Sequence, residues 1–269
     1  TSRAIDPNLL GVPPLRSMAD FGALGHEVVA KGYTALKTNI IFPGEPASLH
    51  FPCFGVGDGS TDQTLSGKLL EHIVEQIGIF RDAVGKDTDI CLDLNFNFKP
   101  EACIRIAKAL EPFNLMWLEI DMYDTEAIRY IRQKVNVPIC TGENLYYMRD
   151  FIPYFQANAA DVFMIDIPWN GFSQSKKIGD LAETYQFNIA PHNYYSHLAS
   201  FIGASLCAVL PNVHIMEIDV DDVPWKDKLV TDIPKIEGGM MMTPTEIGWG
   251  TELNWDEALR HPWTEKSFW

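Results

Sequence analysis

The sequence predicts an α/β protein whose parallel strands close into a (β/α) barrel. Short apolar runs alternate with amphipathic helical stretches along most of the chain, the pattern of a parallel sheet with helical crossovers. Seven such runs suit a closed barrel better than an open sheet. A polar residue also ends each run from ICLDLN onward: Asp93, Glu119, Glu143, Asp166, His192 and Glu217. Their spacing of about 25 residues equals one strand, one loop and one helix, so all six stand at the same end of their strands.

The elements follow in order. Ser17 to Lys31 forms a helix, with Ser17 as cap, Asp20 in the first turn and Gly32 as the stop. Strand TALKTN comes next. From Ile41 to Thr64 the chain carries Pro43, Gly44, Pro46, Pro52, Gly55, Gly57 and Gly59 and shows neither helical nor strand periodicity. An irregular segment of that length at the carboxyl end of a barrel strand reads as a substrate loop that orders over the mouth, with His50 and Phe51 facing the substrate. Leu65 to Val84 is an amphipathic helix ended by Gly85. The alternation then continues: DICLDLN and Pro100 to Leu110; LMWLEI and Thr125 to Val135; VPICTGE and Tyr147 to Ala157. It closes with DVFMIDI and Ser175 to Tyr185, FNIAPHN and Leu198 to Leu210, and the last strand VHIMEID. A barrel domain therefore spans residues 1–219. Residues 220–269, rich in Pro, Gly and Trp, form a segment that closes the barrel. The strand expected before Ser17 is absent or supplied by sequence upstream of Thr1.

A chain of 269 residues with 46% hydrophobic content can bury one large core. Its net charge of -15 argues against nucleic acid and anionic membranes as partners, because both would be repelled. An acidic substrate would need a local cation to reverse that field. The five cysteines show no CxxC spacing and read as reduced thiols of a cytoplasmic protein. No apolar run reaches the length of a membrane span, and the amino terminus has no signal pattern.

Asp93, Glu119 and Glu143 end three consecutive strands. One strand-end acid commonly caps the next helix. Three in register, with no matching cation, would repel each other strongly unless they share an ion. Hard oxygen donors on rigid strands suit Mg²⁺, which keeps positions for water or substrate. Asp166 and His192 follow on the next two strand ends. A carboxylate beside an imidazole fixes its tautomer and raises the basicity of the far nitrogen, which makes a general base. Lys37 adds a positive charge on the opposite wall. Glu217, if protonated by its acidic surroundings, could donate a hydrogen bond to an oxyanion. His197 and His214 read as structural.

GYTALKTN, the Asp93-Leu94-Asn95 step, Glu119, TGEN with Glu143, MIDIPWNG with Asp166, APHN with His192 and MEID with Glu217 together resemble the mandelate racemase branch of the enolase superfamily. The resemblance runs from about Ser17 to Gly250. It implies a TIM-like modified (β/α)7β barrel, Mg²⁺ held by Asp93, Glu119 and Glu143, and an Asp166–His192 dyad that moves the proton α to a substrate carboxylate. In sites of that superfamily a Lys or His base works with Mg²⁺ that stabilises an ene-diolate. Substrate contacts are assigned to Asn39, Asn95, His50 and Trp169. The implied reaction is dehydration of a galactonate-like or gluconate-like sugar acid to a 2-keto-3-deoxy acid, by a homo-oligomer. A cycloisomerase, epimerase or racemase on the same site is the alternative, and a non-catalytic binding barrel the second.

Two departures accompany the resemblance. The family's Lys-x-Lys at the second strand is Lys37-x-Asn39 here, and asparagine cannot serve as the second base that a racemase needs. Family members also carry an amino-terminal α+β capping domain over the mouth, so this chain is expected to be part of a longer one or to work with a separate chain.

Overall fold

In the computed structural model, the described residues are 12–54, 63–220, 223–245 and 247–262. Helix α1 (Ala19–Ala30) leads into β1 (Ala35–Thr38), and a small hairpin of β2 (Ile41–Phe42) and β3 (Ser48–Leu49) follows. Next come α2 (Gly67–Val84), β4 (Asp89–Asp93), α3 (Pro100–Leu110), β5 (Trp117–Glu119), α4 (Thr125–Arg132), β6 (Ile139–Thr141) and α5 (Tyr147–Ala157). The series ends with β7 (Val162–Phe163), the one-turn α6 (Ile167–Asn170), α7 (Phe172–Thr184), β8 (Asn188–Ile189) and α8 (His197–Cys207). Local signals set several boundaries. Ser66 caps α2 by accepting the Leu69 N–H at 3.1 Å, and Gly85 ends it at φ +71°. Pro100 occupies the first position of α3, where its missing N–H costs nothing.

The strands form one parallel sheet in the order β1-β4-β5-β6-β7-β8. The expected strand VHIMEI runs beside β8 without forming a ladder. It makes a single bridge between Ile189 and Val213, and the His214 N–H reaches the Ile189 carbonyl at 2.7 Å. Glu217 N–H then meets the Pro191 carbonyl at 3.2 Å. The sheet is rolled: Lys37 on β1, at one edge, lies 3.0 Å from Glu217 beyond the other.

Strand periodicity divides the side chains between two cores. Ile90, Leu92, Leu118, Ile139, Phe163 and Ile189 belong to the larger cluster, which they share with the helices. Their neighbours Cys91, Trp117, Cys140, Val162, Met164 and Ala190 fill a separate cluster inside the roll. Two residues beyond this inner layer along four of the strands stand Asp93, Glu119, Asp166 and His192. The period of two thus keeps them on the inner face and lifts them to the carboxyl-end mouth. β6 breaks the count, because Glu143 lies three residues after Cys140. Gly142, at φ +123°, absorbs the change of face.

Three differences from the sequence reading have local causes. The segment from Ile41 is not wholly irregular, since β2 and β3 pair around the Pro43–Pro46 turn and Gln76 Oε1 accepts the Ile41 N–H at 3.0 Å. The lid expected there falls partly on residues 55–62, which lie outside the described residues. Helix α6 arises because Asp166 caps it, accepting the Trp169 N–H at 2.9 Å. After Asp219 the described tail holds a hairpin of β9 (Ile236–Glu237) and β10 (Met240–Met241) and a short helix α9 (Trp255–Ala258). There Trp225 stacks on His261 at 4.1 Å. Cys91, Cys103 and Cys140 are buried, and all five cysteines are free thiols.

Gly142 is where fold and mouth meet. A Cβ there would sit 2.8 Å from the Met164 carbonyl oxygen, on a backbone that L side chains rarely adopt. Gly142→Ala should destabilise the chain by roughly 1–3 kcal/mol and weaken divalent-cation binding by displacing Glu143. Urea unfolding and a cation titration check this. Wild-type values in both would show that the glycine is dispensable.

Candidate active site

The mouth is built on rigid strand ends. Asp93 and Glu119 close β4 and β5 in direct register, and Glu143 follows Gly142 after β6. One ligand oxygen from each lies within 4.8 Å of the other two. Glu119 is fully buried, and neither of its oxygens accepts a hydrogen bond of good geometry. A buried carboxylate with spare lone pairs is costly unless a cation takes them. Burial drives the Asp93 carboxyl up to about 6, against the pull of Lys37 and with a push from Glu143. Glu119 rises well above the usual carboxylate range for the same leading reason. The donor set therefore fits one hard divalent cation, Asp93 and Glu119 being buried, Glu143 half-buried beside them, and all three close enough to share an ion.

Lys37 reaches into this cluster from β1. Its Nζ lies 3.0 Å from Glu119, 3.0 Å from Glu217 and 3.7 Å from Asp93. It also touches Met164 Sδ at 3.8 Å, on the inner apolar layer. Burial alone would favour the neutral amine, but Glu119, Glu217 and Asp93 prevail and hold its pKa well above the ordinary value. The expectation that Glu217 is protonated is corrected here. Burial pushes its pKa up, yet Lys37, His192 and the Asn193 N–H at 3.0 Å together bring it down to about 2. Glu217 is an ionised partner of Lys37.

Asp166 and His192 form an isolated parallel bridge just beyond β7 and β8, and their side chains meet at 2.7 Å through Oδ2 and Nδ1. Nε2 faces the acid triad, 3.2 Å from Glu143 and 3.7 Å from Glu217. Burial opposes the imidazolium, while the Asp166 hydrogen bond and the charges of Glu217 and Glu143 raise its pKa overall. One nitrogen is thus anchored and the other faces the acid cluster, an arrangement able to accept or give a proton there.

The remaining sequence candidates divide. Asn39 donates to Asn95 Oδ1 at 3.1 Å, and Asn95 bonds Asp93 twice, through its amide at 3.0 Å and its backbone N–H at 2.8 Å. This pair reads first as a brace for Asp93. Asn95 makes the double contact at φ +46°, a conformation asparagine tolerates. His50 stacks on Phe98 at 5.3 Å and meets Phe42 edge-on at 6.1 Å, so its ring belongs to an aromatic cluster. Trp169 is half-exposed and stacks on Tyr146 at 5.3 Å. His197 pairs with Asp227 and His214 packs edge-on against Trp117, in keeping with structural roles.

Two residues of the mouth are not among the sequence candidates. Asp121, two residues past Glu119 on the same face, is buried with Oδ2 unpartnered. Its offset from Glu119 is a usable signal. Tyr195 donates its hydroxyl to Asp166 Oδ2. Nothing in NYYSH marks that tyrosine, because the contact depends on how the loop after β8 folds back.

Lys37 gives the testable consequence. Lys37→Met would leave Glu119 and Glu217 buried without their cation, costing roughly 3–5 kcal/mol in metal-free protein. A divalent cation should recover part of that loss. The folded-state pKa of Glu217 is depressed, so its stabilisation is present above about 4.5 and is lost as pH falls through about 2. The gap between wild type and variant should therefore narrow over that window. Urea unfolding against pH, with and without the cation, measures it, and a pH-independent gap would contradict the assignment.

Residues 20–258 match the family described as Enolase C-terminal domain-like. Among curated relatives, the chain is 27% identical over 233 residues to D-xylonate dehydratase of Haloferax volcanii, covering 86% of this chain and 54% of that protein. It is 29% identical over 238 residues to D-gluconate dehydratase of Thermoproteus tenax, covering 87% and 44%. Among solved structures, it superposes with a TM-score of 0.89 and 37% identity on a Burkholderia xenovorans LB400 protein provisionally described as an L-alanine-DL-glutamate epimerase, bound to magnesium and fumarate. That match covers 93% of this chain and 62% of the other. A mandelate racemase/muconate lactonizing enzyme-like protein of Rubrobacter xylanophilus gives 0.80 and 29%, covering 91% and 61%. The chain spans about half the length of the curated relatives it matches. With strand-end acids and a rolled parallel sheet already in place, the match over most of its length shows that the chain belongs to the Enolase C-terminal domain-like family.

Proposed function

We propose that this chain carries the catalytic site of a Mg²⁺-dependent acid-sugar dehydratase. The observation that carries the reading is the direction of His192: Nδ1 is held by Asp166, and Nε2 points into the Asp93–Glu119–Glu143 cluster. The curated dehydratases of D-xylonate and D-gluconate support the substrate class.

Asp93, Glu119 and Glu143 would hold Mg²⁺, whose charge, when bound, withdraws electrons from the substrate carboxylate and makes the α-proton more acidic. His192 Nε2 takes that proton, and the C–H electron pair moves into the carboxylate to give an ene-diolate. Lys37, kept cationic by its acidic neighbours, would be a fixed positive charge beside Glu119 and Glu217 toward the developing anion. The ene-diolate then collapses and expels the β-hydroxyl, to which the protonated His192 gives its proton, so water leaves. The resulting enol ketonises to the 2-keto-3-deoxy acid. Asn39 and Asn95, which brace Asp93, would meet substrate hydroxyls only by exchanging those hydrogen bonds, and Trp169 would offer an apolar face to the carbon chain. His50 would act only by shaping the loop through its stack on Phe98.

An epimerase is the second reading, favoured by the 37% identity to the Burkholderia protein. It needs an acceptor on each face of the α-carbon. Asn39 has no basic nitrogen, which favours one base and elimination.

Product analysis decides between them. A panel of sugar acids incubated with Mg²⁺ should give keto acids with loss of water, and an unchanged mass would replace dehydration with isomerisation. His192→Asn should lower turnover by roughly 10²–10⁴-fold while cation binding survives. Full activity in that variant would move the base elsewhere. Solvent deuterium should enter the α-carbon from the His192 face alone, and rapid exchange on both faces would sink the one-base mechanism.

A further inference from the structure

We propose that Tyr195 is a positioning residue for the general base, acting through Asp166. Asp166 is nearly inaccessible, and both its oxygens are engaged. Oδ1 accepts the Trp169 N–H at 2.9 Å. Oδ2 accepts two donors, His192 Nδ1 at 2.7 Å and the Tyr195 hydroxyl. Tyr195 follows His192 by three residues in the loop after β8, and its ring stands edge-on to the imidazole, with centroids 5.6 Å apart and planes at 89°. The tyrosine thus touches both members of the dyad.

The effect of this triangle is orientational. A carboxylate held only at Oδ1 and by one imidazole can rock about its Cβ–Cγ bond and carry the imidazole with it. A second donor at Oδ2 removes that freedom, because the two donors approach the oxygen from different directions. The edge contact of the phenol ring blocks rotation of the imidazole from its side. Nε2 is then kept on the line toward Glu143, the direction from which a substrate α-proton would be taken. Burial and the hydrogen bond to Asp166 both push the Tyr195 hydroxyl's pKa upward, so it stays a donor. Groups that orient a catalytic or metal-bound histidine in this way usually affect activity by roughly 10–100-fold.

The inference uses the general-base role of His192 but not the identity of the substrate, and its test separates the two. In the full chain with Mg²⁺, the Nδ1–H proton of His192 should give a downfield proton resonance that disappears in His192→Asn. Tyr195→Phe, which removes one oxygen and keeps the ring, should shift or broaden that resonance without any substrate present. An unchanged resonance would overturn the proposal, whatever acid the enzyme accepts. With an acid that undergoes α-proton exchange, Tyr195→Phe should lower the exchange rate about 10-fold at nearly constant KM. A rise in KM with unchanged rate would instead make Tyr195 a substrate contact. In the Asp166→Asn background the same substitution should change the rate less than about twofold, because the acceptor has been altered. An equal loss in both backgrounds would count against action through Asp166.

Discussion

The Lys37 ammonium is the charge on which the mouth depends. It lies among Asp93, Glu119 and Glu217, acids that would otherwise share a buried volume without compensation. Its position is equally consequential for the sheet. β1 and the Glu217 segment lie at opposite ends of the strand order, and among the described residues no backbone ladder joins them. The Lys37–Glu217 pair spans that seam. At 3.0 Å and largely buried, the pair offsets its own desolvation, and loss of either partner would leave the other charge uncompensated.

Beneath this charged layer, the inner apolar cluster sets its height. Cys91, Trp117, Met164 and Ala190 fill the roll, so the next inward residues on their strands cannot sink and must stand at the rim. Close packing below therefore fixes the acids above to better than loops could. Glu119 shows the cost of that arrangement. Full burial of an ionisable carboxyl opposes folding, and its compensation is divided between Lys37 and whatever cation the triad holds.

Much of this is legible in the residues. The strand-end interval locates all six ionisable groups, and the helices Pro100–Leu110 and Tyr147–Ala157 coincide with their sequence bounds, because amphipathic spacing and end signals agree there. The ionised state of Glu217 is not legible, because the acid series is visible in one dimension, whereas the distance of Lys37 to three acids is not. Asn39 reads as a non-base from its chemistry alone, but its partner, Asn95, lies 56 residues away. The VHIMEI run has strand composition but meets β8 through a single bridge, Ile189 with Val213, a difference that side-chain pattern alone does not reveal. Tyr195 is invisible for a different reason: its role rests on a loop turning back toward the preceding strand, and loop geometry has no periodicity to betray it.

The charge of the mouth also constrains the order of events in the proposed chemistry. Asp93, Glu119, Glu143, Asp166 and Glu217 face only Lys37 and His192 as possible cations among the described residues of the site, on a chain of net charge -15. At a few ångströms and in a partly desolvated setting a like-charge contact costs on the order of several kcal/mol, and burial together with such contacts raises the Asp93 and Glu119 pKa values in the cation-free mouth. A sugar acid would meet that repulsion with its own carboxylate. A divalent cation on the triad reverses the local sign, and Lys37 alone cannot, because its charge is already matched by Glu119 and Glu217. In the proposed chemistry, cation binding would therefore precede productive binding of the acid. The same three carboxylates that make the metal-free mouth unfavourable are then what gives the cation its affinity, and the substrate its reason to enter carboxylate first.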